Sequence, residues 1–222
     1  MVLCRSINYC LYRGNGMRRL IRLILAVVLA FLSGCASMPA PISTTEKVDP
    51  SKGILLAGLT SDGSQQVMDV WFFYRLKGTT EERRLDAFGV GGLLSKPNDF
   101  AESGHEMGRL IALPVEPGEY ELFNWTLYVH ELGGYAYLSP KTPPAPHVFK
   151  IQAGSVTYIG GLHVVTVLGK NLFGIPMAFG GNPDIKDQSA RDLAILKTKY
   201  PTIADWPILM SVPDGSQWKV DR

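Results

Sequence analysis

Cysteine is scarce in this sequence. The chain has three cysteines among 222 residues, and all three, Cys4, Cys10 and Cys35, precede the segments that are patterned like a folded domain. A disulfide framework and a cysteine-based metal site are therefore excluded from the remaining chain. That part has the ordinary length of a single domain, and its apolar core must stabilise it.

A basic surface is also missing. Lys and Arg number 22 against 20 Asp and Glu, but five of the arginines and none of the acids precede Cys35. From Cys35 onward the chain therefore carries 17 basic and 20 acidic side chains, which is a net charge of −3. Without a basic stripe, nucleic acid is excluded as a partner.

Catalytic motifs built on histidine are absent. His105 is followed by Glu106, but no second histidine stands one helical turn away, as a zinc-binding metalloprotease helix requires. His130 and Glu131 are neighbours on a predicted strand, and neighbouring strand residues point to opposite faces. His163 follows two glycines and fits no known constellation. The sequence therefore predicts no metal site.

Nucleophile and phosphate motifs are equally absent. Ser155 lies in Ala-Gly-Ser-Val-Thr, which is not a nucleophile elbow. The glycine-rich run Gly89 to Lys96 lacks the spacing of a phosphate-binding loop. We therefore predict no catalytic residue and no cofactor. Because folding brings distant groups together, a cell-envelope hydrolase assembled from dispersed histidine and carboxylate residues stays the alternative.

The apolar run near the start of the chain is too short to cross a bilayer. It extends from Leu23 to Leu32, whereas a spanning helix needs about 20 apolar residues. Three arginines precede it and small residues follow it, which is the pattern of a secretory signal. We therefore predict that residues 1–34 are a removed signal. Met17 is the expected initiator, because Gly14-Asn15-Gly16 interrupts the segment ahead of the arginines.

The residues Leu32-Ser33-Gly34-Cys35 resemble the lipobox of bacterial lipoproteins. The resemblance implies that the signal is cut before Cys35 and that acyl chains such as palmitate are attached to its thiol. Two acyl chains give stable membrane anchoring where one gives marginal binding. Ala36 stands where the family's inner-membrane retention signal has aspartate. This implies the outer membrane, where we expect the protein to face the periplasm.

Residues 35–52 are predicted to be the lipidated cysteine and a flexible tether. This segment is rich in Pro, Ser and Thr and has little that could pack in a core. The folded domain is predicted to occupy residues 53–222.

Seven segments of this domain have strand patterns. They are Ile54 to Thr60, Val67 to Leu76, Arg109 to Val115, Glu119 to Glu131, Val148 to Ile151, Val156 to Val167 and Pro176 to Phe179. A helix is predicted late in the chain, from Ser189 to Tyr200. The sequence therefore predicts a mainly β fold, an antiparallel β-sandwich of about six to seven strands with one late α-helix.

Parts of these strands resemble paired strands in small β-sandwich lipoproteins of unknown function. The similar segments are Pro117-Gly118-Glu119-Tyr120, Phe149 to Gly154 and Tyr158-Ile159-Gly160. The resemblance implies a fold and no catalytic group.

The longest predicted strand has its apolar face on Phe123, Trp125, Leu127 and Val129. Tyr120 and Leu122 fall out of register with this face. A bulge near the start of the strand is therefore expected.

Aromatic residues on the opposite strand faces form the candidate binding site. The candidates are Trp71, Phe73 and Tyr128, with Tyr135 and Tyr137 in a predicted loop rich in glycine and proline. Together they would form a platform for a glycan, a peptide or an envelope protein. In the other interpretation, these rings are ordinary core residues under the late helix and the C-terminal tail. The sequence favours this interpretation, because a helix needs an apolar surface to pack against. The predicted function is a membrane-anchored, non-catalytic binding or assembly module.

Overall fold

The computed structural model describes residues 40–43, 45–89, 98–104, 106–131 and 133–218. The predicted signal segment, Met17, Cys35, His105 and most of the run from Gly89 to Lys96 lie outside these residues.

The described residues form ten strands and one α-helix. In chain order they are β1 (Gly53–Ser61), β2 (Val67–Leu76), β3 (Arg83–Asp86), β4 (Met107–Val115), β5 (Gly118–Glu131), β6 (Gly134–Leu138), β7 (His147–Ile151), β8 (Val156–Lys170), β9 (Pro176–Lys186), α1 (Ser189–Lys199) and β10 (Ile208–Met210). Short 3-10 turns lie at Ala101–Ser103, Pro201–Ile203 and Gly215–Trp218. Among these residues, no helix is long and apolar enough to span a membrane.

The strands form two five-stranded sheets. In the first sheet β8 pairs with β1 on one edge and with β9 and β10 on the other, and β1 also pairs with β4. In the second sheet β5 pairs with β2 on one edge and with β6 and β7 on the other, and β2 also pairs with β3. A mainly β fold of two sheets with one late helix is thus confirmed.

Two features of the sheets differ from the sequence prediction. The pairings of β1 with β8 and of β8 with β10 are parallel, so the first sheet is mixed. The strands β3, β6 and β10 are additional. Each of them has five residues or fewer. An alternation of apolar and polar residues cannot be recognised over so short a strand.

The main core lies between the two sheets. Its largest members are Trp125, Trp218, Tyr74 and Phe72, all nearly inaccessible to solvent. A second apolar cluster lies on the other face of the first sheet, where Leu196 of α1 packs with Tyr200 and Ile203. Strand β1 is buried on both faces for this reason, which explains why its sequence is a continuous apolar run.

Part of the predicted tether lies against the folded unit. Ile42 is buried in the second apolar cluster, and its amide donates to the carbonyl of Ala112 at 3.0 Å. The hydroxyl of Thr202 donates to the carbonyl of Glu46 at 3.0 Å. The expectation of a free tether up to residue 52 is therefore wrong for this part, because Ile42 and Val48 supply enough apolar surface to pack.

The predicted bulge in β5 is present. The pairing with β2 shifts between Phe73 and Tyr74, which oppose Asn124 and Leu122, so Phe123 is the extra residue. As a result Tyr120 and Leu122 point into the core. Phe123 was expected on the core face, and this prediction is wrong, because the bulge turns its ring to the outer face beside Phe73.

Candidate aromatic binding face

Four aromatic rings form a contiguous cluster on the outer face of the second sheet. The cluster, here called the aromatic face, consists of Trp71 on β2, Tyr128 on β5, and Tyr135 and Tyr137 on β6. The centroid of Tyr128 lies 5.0 Å from that of Tyr137, 5.4 Å from that of Tyr135 and 5.7 Å from that of Trp71. These separations are in the range of favourable ring contacts.

Strand pairing places these rings together. Tyr128 lies directly opposite Tyr137 across the β5–β6 ladder, and His130 lies opposite Tyr135. Tyr135 and Tyr137 were predicted to lie in a loop, and this is wrong, because Gly134–Leu138 forms the strand β6. The two tyrosines remain strongly exposed, at 56% and 62% of their surface.

A buried carboxylate holds Trp71 in position. The indole Nε1 of Trp71 donates to Oδ2 of Asp69 at 2.9 Å. Asp69 also accepts hydrogen bonds from the amides of Val70, Phe88 and Gly89, at 2.8 to 3.1 Å. The same side chain therefore fixes the tryptophan and the segment that follows β3.

An arginine covers one end of the aromatic face. The guanidinium carbon of Arg84 lies 4.1 Å from the centroid of a Trp71 ring. Arg84 is exposed, and no carboxylate of the described residues pairs with it. Its charge is therefore available for a ligand. Sequence reasoning missed Arg84, because it stands in the charged run Glu81-Glu82-Arg83-Arg84, which is typical of an ordinary solvated segment.

A second aromatic pair lies beside the first cluster. Phe73 and Phe123 are 6.4 Å apart, and the guanidinium carbon of Arg75 lies 4.4 Å from the ring of Phe123. Arg75 differs from Arg84, because its Nε already contacts Oε1 of Glu121 at 2.5 Å. The candidate residue Phe73 thus belongs to this neighbouring pair, and it has no direct ring contact with the aromatic face among the described residues.

The phenol of Tyr128, at the centre of the aromatic face, is neutral at physiological pH. The pKa of Tyr128 is raised above its ordinary value of 10.0, first by desolvation and then by the nearby Tyr137 and Tyr135. A neutral phenol both donates and accepts hydrogen bonds. The face therefore combines apolar ring surface with phenol hydroxyls and the exposed cation of Arg84.

The helix does not cover the aromatic face. Helix α1 packs on the outer face of the first sheet, where Leu196 contacts the second apolar cluster. Trp218 of the tail enters the core between the sheets and contacts Phe72, with 6.0 Å between the ring centroids. The interpretation that places the late helix and tail over the candidate aromatics is therefore wrong. The helix finds its apolar surface on Ile54 and Leu56 of β1 instead.

Of the histidines considered in the sequence analysis, His163 lies near carboxylates. It lines a small cavity together with Glu106, Asp184 and Arg191, and its Nδ1 is hydrogen-bonded to Oγ1 of Thr60 at 2.8 Å. The cavity has a volume of about 20 Å³, which is room for about one water molecule.

The carboxylates near His163 have structural partners. Arg191 bridges Oε2 of Glu106 at 2.5 Å and Oδ1 of Asp192 at 2.8 Å, and the hydroxyl of Tyr158 donates to Oδ2 of Asp192 at 2.7 Å. Asp192 is inaccessible to solvent, and burial raises the pKa of its carboxyl. Gly58 leaves room for it, since a Cβ at that position would lie 2.5 Å from Oδ2. This network fastens α1 to the first sheet.

His130 and Glu131 point to opposite sides, as the sequence predicts. His130 lies edge-on to Tyr135 at 5.1 Å, whereas Oε1 of Glu131 accepts the amide of Ala178 at 2.7 Å. The hydroxyl of Ser155 donates to the carbonyl of Gln152 and is part of a turn. Within the described part of the chain, no group of three or more His, Cys, Asp or Glu side chains is arranged to hold a metal ion.

A cavity of about 530 Å³ opens at one edge of the sandwich. Trp125, Trp218 and Phe179 line it together with the Pro-rich segment between β6 and β7. Trp125 is buried, and its indole Nε1 has no hydrogen-bond partner in the part of the chain that the structure describes. The strand pattern predicted the burial of Trp125, but no sequence signal indicates the cavity.

No protein-family model matches the chain, and no curated protein matches it. Among solved structures, a leucine-rich repeat protein from Bacteroides thetaiotaomicron VPI-5482 is similar over 52% of this chain and 14% of that chain. The sequence identity is 11% and the TM-score is 0.30. A likeness of this strength carries no argument about fold or function. The described residues thus form a mainly β fold with a partly exposed aromatic face.

Proposed function

We propose that the protein is a membrane-anchored cell-envelope lipoprotein and a non-catalytic binding module, with the aromatic face as its binding surface. The observation that carries the proposal is the cluster of half-buried Trp71 and Tyr128 with exposed Tyr135 and Tyr137, on a sheet face that α1 leaves open. The lipobox resemblance at Cys35 supports the anchor. Exposed aromatic residues gathered in one patch are typical of interaction sites, because soluble proteins otherwise keep such patches small.

The composition of the face favours a glycan that carries carboxylate or phosphate groups. Ring faces pack against the apolar side of a sugar, while phenol hydroxyls exchange hydrogen bonds with its hydroxyls. Arg84 adds a planar cation, which pairs with carboxylate or phosphate oxygens in a bidentate manner. Among the described residues it has no acidic partner to displace.

Binding of two matched oligosaccharides to the full chain tests this proposal. The probes are an oligogalacturonate hexasaccharide, with a carboxylate on each sugar, and neutral maltohexaose. We expect the acidic probe to bind more tightly. The double variant Tyr135→Ala and Tyr137→Ala should weaken its binding about thirty-fold or more, the effect of losing one strong aromatic contact. Thermal melts should be nearly unchanged, because both side chains are largely exposed.

Arg84→Gln and Arg75→Gln form a matched pair of variants. Both arginines lie over an aromatic ring, but Arg75 is already paired with Glu121. We expect Arg84→Gln to weaken the acidic probe about tenfold or more, the effect of one hydrogen bond to a charged group, and Arg75→Gln to have little effect. Equal binding of the oligogalacturonate and maltohexaose probes would contradict the proposal that the ligand is an acidic glycan. Undiminished binding by a stable tyrosine double variant would contradict the aromatic face itself.

A further inference from the structure

The hairpin formed by β8 and β9 ends in two fully exposed apolar side chains. Leu172 and Phe173 occupy the turn, and their relative exposures are 101% and 87%. Five further large apolar residues along the hairpin are exposed by more than a third of their surface: Val165, Val167, Leu168, Ile175 and Phe179. These exposed side chains belong to neither the aromatic face nor the core.

Hydrogen bonds of Asn171 define the conformation of the turn. Oδ1 of Asn171 accepts the amides of Phe173 at 2.9 Å and of Ile175 at 3.0 Å. The amide of Asn171 donates to the carbonyl of Ile175, and Gly174 provides the positive φ of 77° that the turn requires. The turn thus presents Leu172 and Phe173 in a fixed position.

Carboxylates from both sheets fasten the base of the hairpin. Asp62, just after β1, accepts the amide of Thr166 at 2.8 Å and its hydroxyl at 2.9 Å. Glu131, at the end of β5, accepts the amide of Ala178. The pairing of β1 with β8 ends at Val164, so the hairpin extends beyond it as a two-stranded ribbon. A ribbon fastened in this way projects its tip from the folded unit.

The charge of the hairpin fits an anionic surface. Residues 165–183 contain no Asp or Glu, and Lys170, next to the turn, is their one charged side chain. Bacterial and other biological membranes present anionic headgroups, which attract cations near the interface, while apolar side chains enter the boundary of the acyl chains. We propose that the tip of the β8–β9 hairpin inserts into a lipid surface, with Leu172 and Phe173 in the apolar boundary and Lys170 at the headgroups.

This contact goes beyond the proposed function, because it uses neither acyl chains on Cys35 nor the aromatic face. It orients the domain at the membrane. The tip consists of two adjacent large apolar side chains on a turn, and charged residues of both signs do not surround it. A lipid surface therefore suits the tip better than a groove on a partner protein does.

A fluorescent label at the tip tests the insertion. The three native cysteines of the full chain are replaced by serine, and Phe173→Cys provides the labelling site. The vesicles consist of phosphatidylethanolamine and phosphatidylglycerol, with nitroxide quenchers on part of the acyl chains. We expect a blue shift and loss of most of the emission at the tip. Leu172→Ser should raise the vesicle concentration for half-maximal quenching about tenfold or more.

A label at Lys197→Cys is the matched control. Lys197 is exposed on α1, and we expect its label to keep its emission when the tip label is quenched. This comparison separates insertion of the tip from attachment through the N-terminal segment. Three results would overturn the proposal: an unquenched tip label, equal quenching at both positions, or a blue shift without vesicles that grows with protein concentration. The last result would assign the tip to a second copy of the chain.

Discussion

His163 is a histidine whose protonation opposes the folded state. Burial lowers its pKa below the ordinary value of 6.5, although Glu106, Asp62 and Asp184 act in the opposite direction. His147 has a lowered pKa for the same reason, and its Nε2 contacts the carbonyl of Ser211 at 2.9 Å. Both side chains are therefore neutral near pH 7.

A lowered histidine pKa predicts loss of stability in mild acid. Between the folded pKa and 6.5 the unfolded chain binds more protons, so the free energy of unfolding falls as the pH decreases through this window. Urea unfolding at about pH 7.5 and about pH 5.5 should therefore give different free energies, and a histidine pKa that lies one pH unit lower in the folded state accounts for at most about 1.4 kcal/mol of the difference. His163→Gln keeps a partner for Thr60 and should reduce the difference. An unchanged difference in this variant would show that His163 does not titrate in this range.

The bulge at Phe123 shows the limit of residue-by-residue prediction. Alternation along β2 and β5 was sufficient to place Trp71, Phe73 and Tyr128 on one outer face. It was insufficient for Phe123, because one inserted residue reverses the facing of every side chain on one side of the bulge. The sequence indicates that a bulge exists, but packing of Tyr120 and Leu122 determines its position.

At the scale of elements, Asp69 links β2 to the segment after β3. Its carboxylate accepts the amides of Phe88 and Gly89 and the indole of Trp71. Phe88 is buried in the main core. The Asp69 side chain therefore holds both the segment after β3 and the Trp71 ring of the aromatic face in place.

Asp69→Ala should destabilise the protein by about 2 to 5 kcal/mol, because it leaves buried amide donors without an acceptor. Urea unfolding measures this change. Glu82→Ala is the control, since Glu82 is exposed near β3, and it should change stability by less than about 0.5 kcal/mol. If the two variants unfolded alike, Asp69 would have no such role.

The position of α1 was not predictable from its own sequence. The stripe of Leu193, Leu196 and Tyr200 indicates that one helix face is buried, and this is correct for Leu196 and Tyr200. The stripe does not indicate which sheet it contacts. That choice depends on Gly58, Tyr158 and Arg191, which accommodate and bind Asp192 of the helix.

At the scale of the folded unit, the two sheets have different outer faces. Helix α1 and the segment around Ile42 cover the first sheet, whereas aromatic and charged side chains form the outer face of the second. The sequence predicted two sheets, because strands follow one another without alternating helices. It could not predict the parallel pairing of β1 with β8, since these strands are far apart along the chain and each is almost wholly buried where they meet.

The measurement that tests the central claim most directly is hydroxyl-radical labelling of the full chain, with and without the oligogalacturonate hexasaccharide. In the free protein, Tyr135 and Tyr137 should be labelled strongly, as their exposure requires. If the aromatic face is the binding surface, the acidic probe protects these two tyrosines, while Leu172 and Phe173 at the hairpin tip stay as reactive as before. Binding of the probe without protection of Tyr135 and Tyr137, or protection confined to the hairpin tip, would contradict this account.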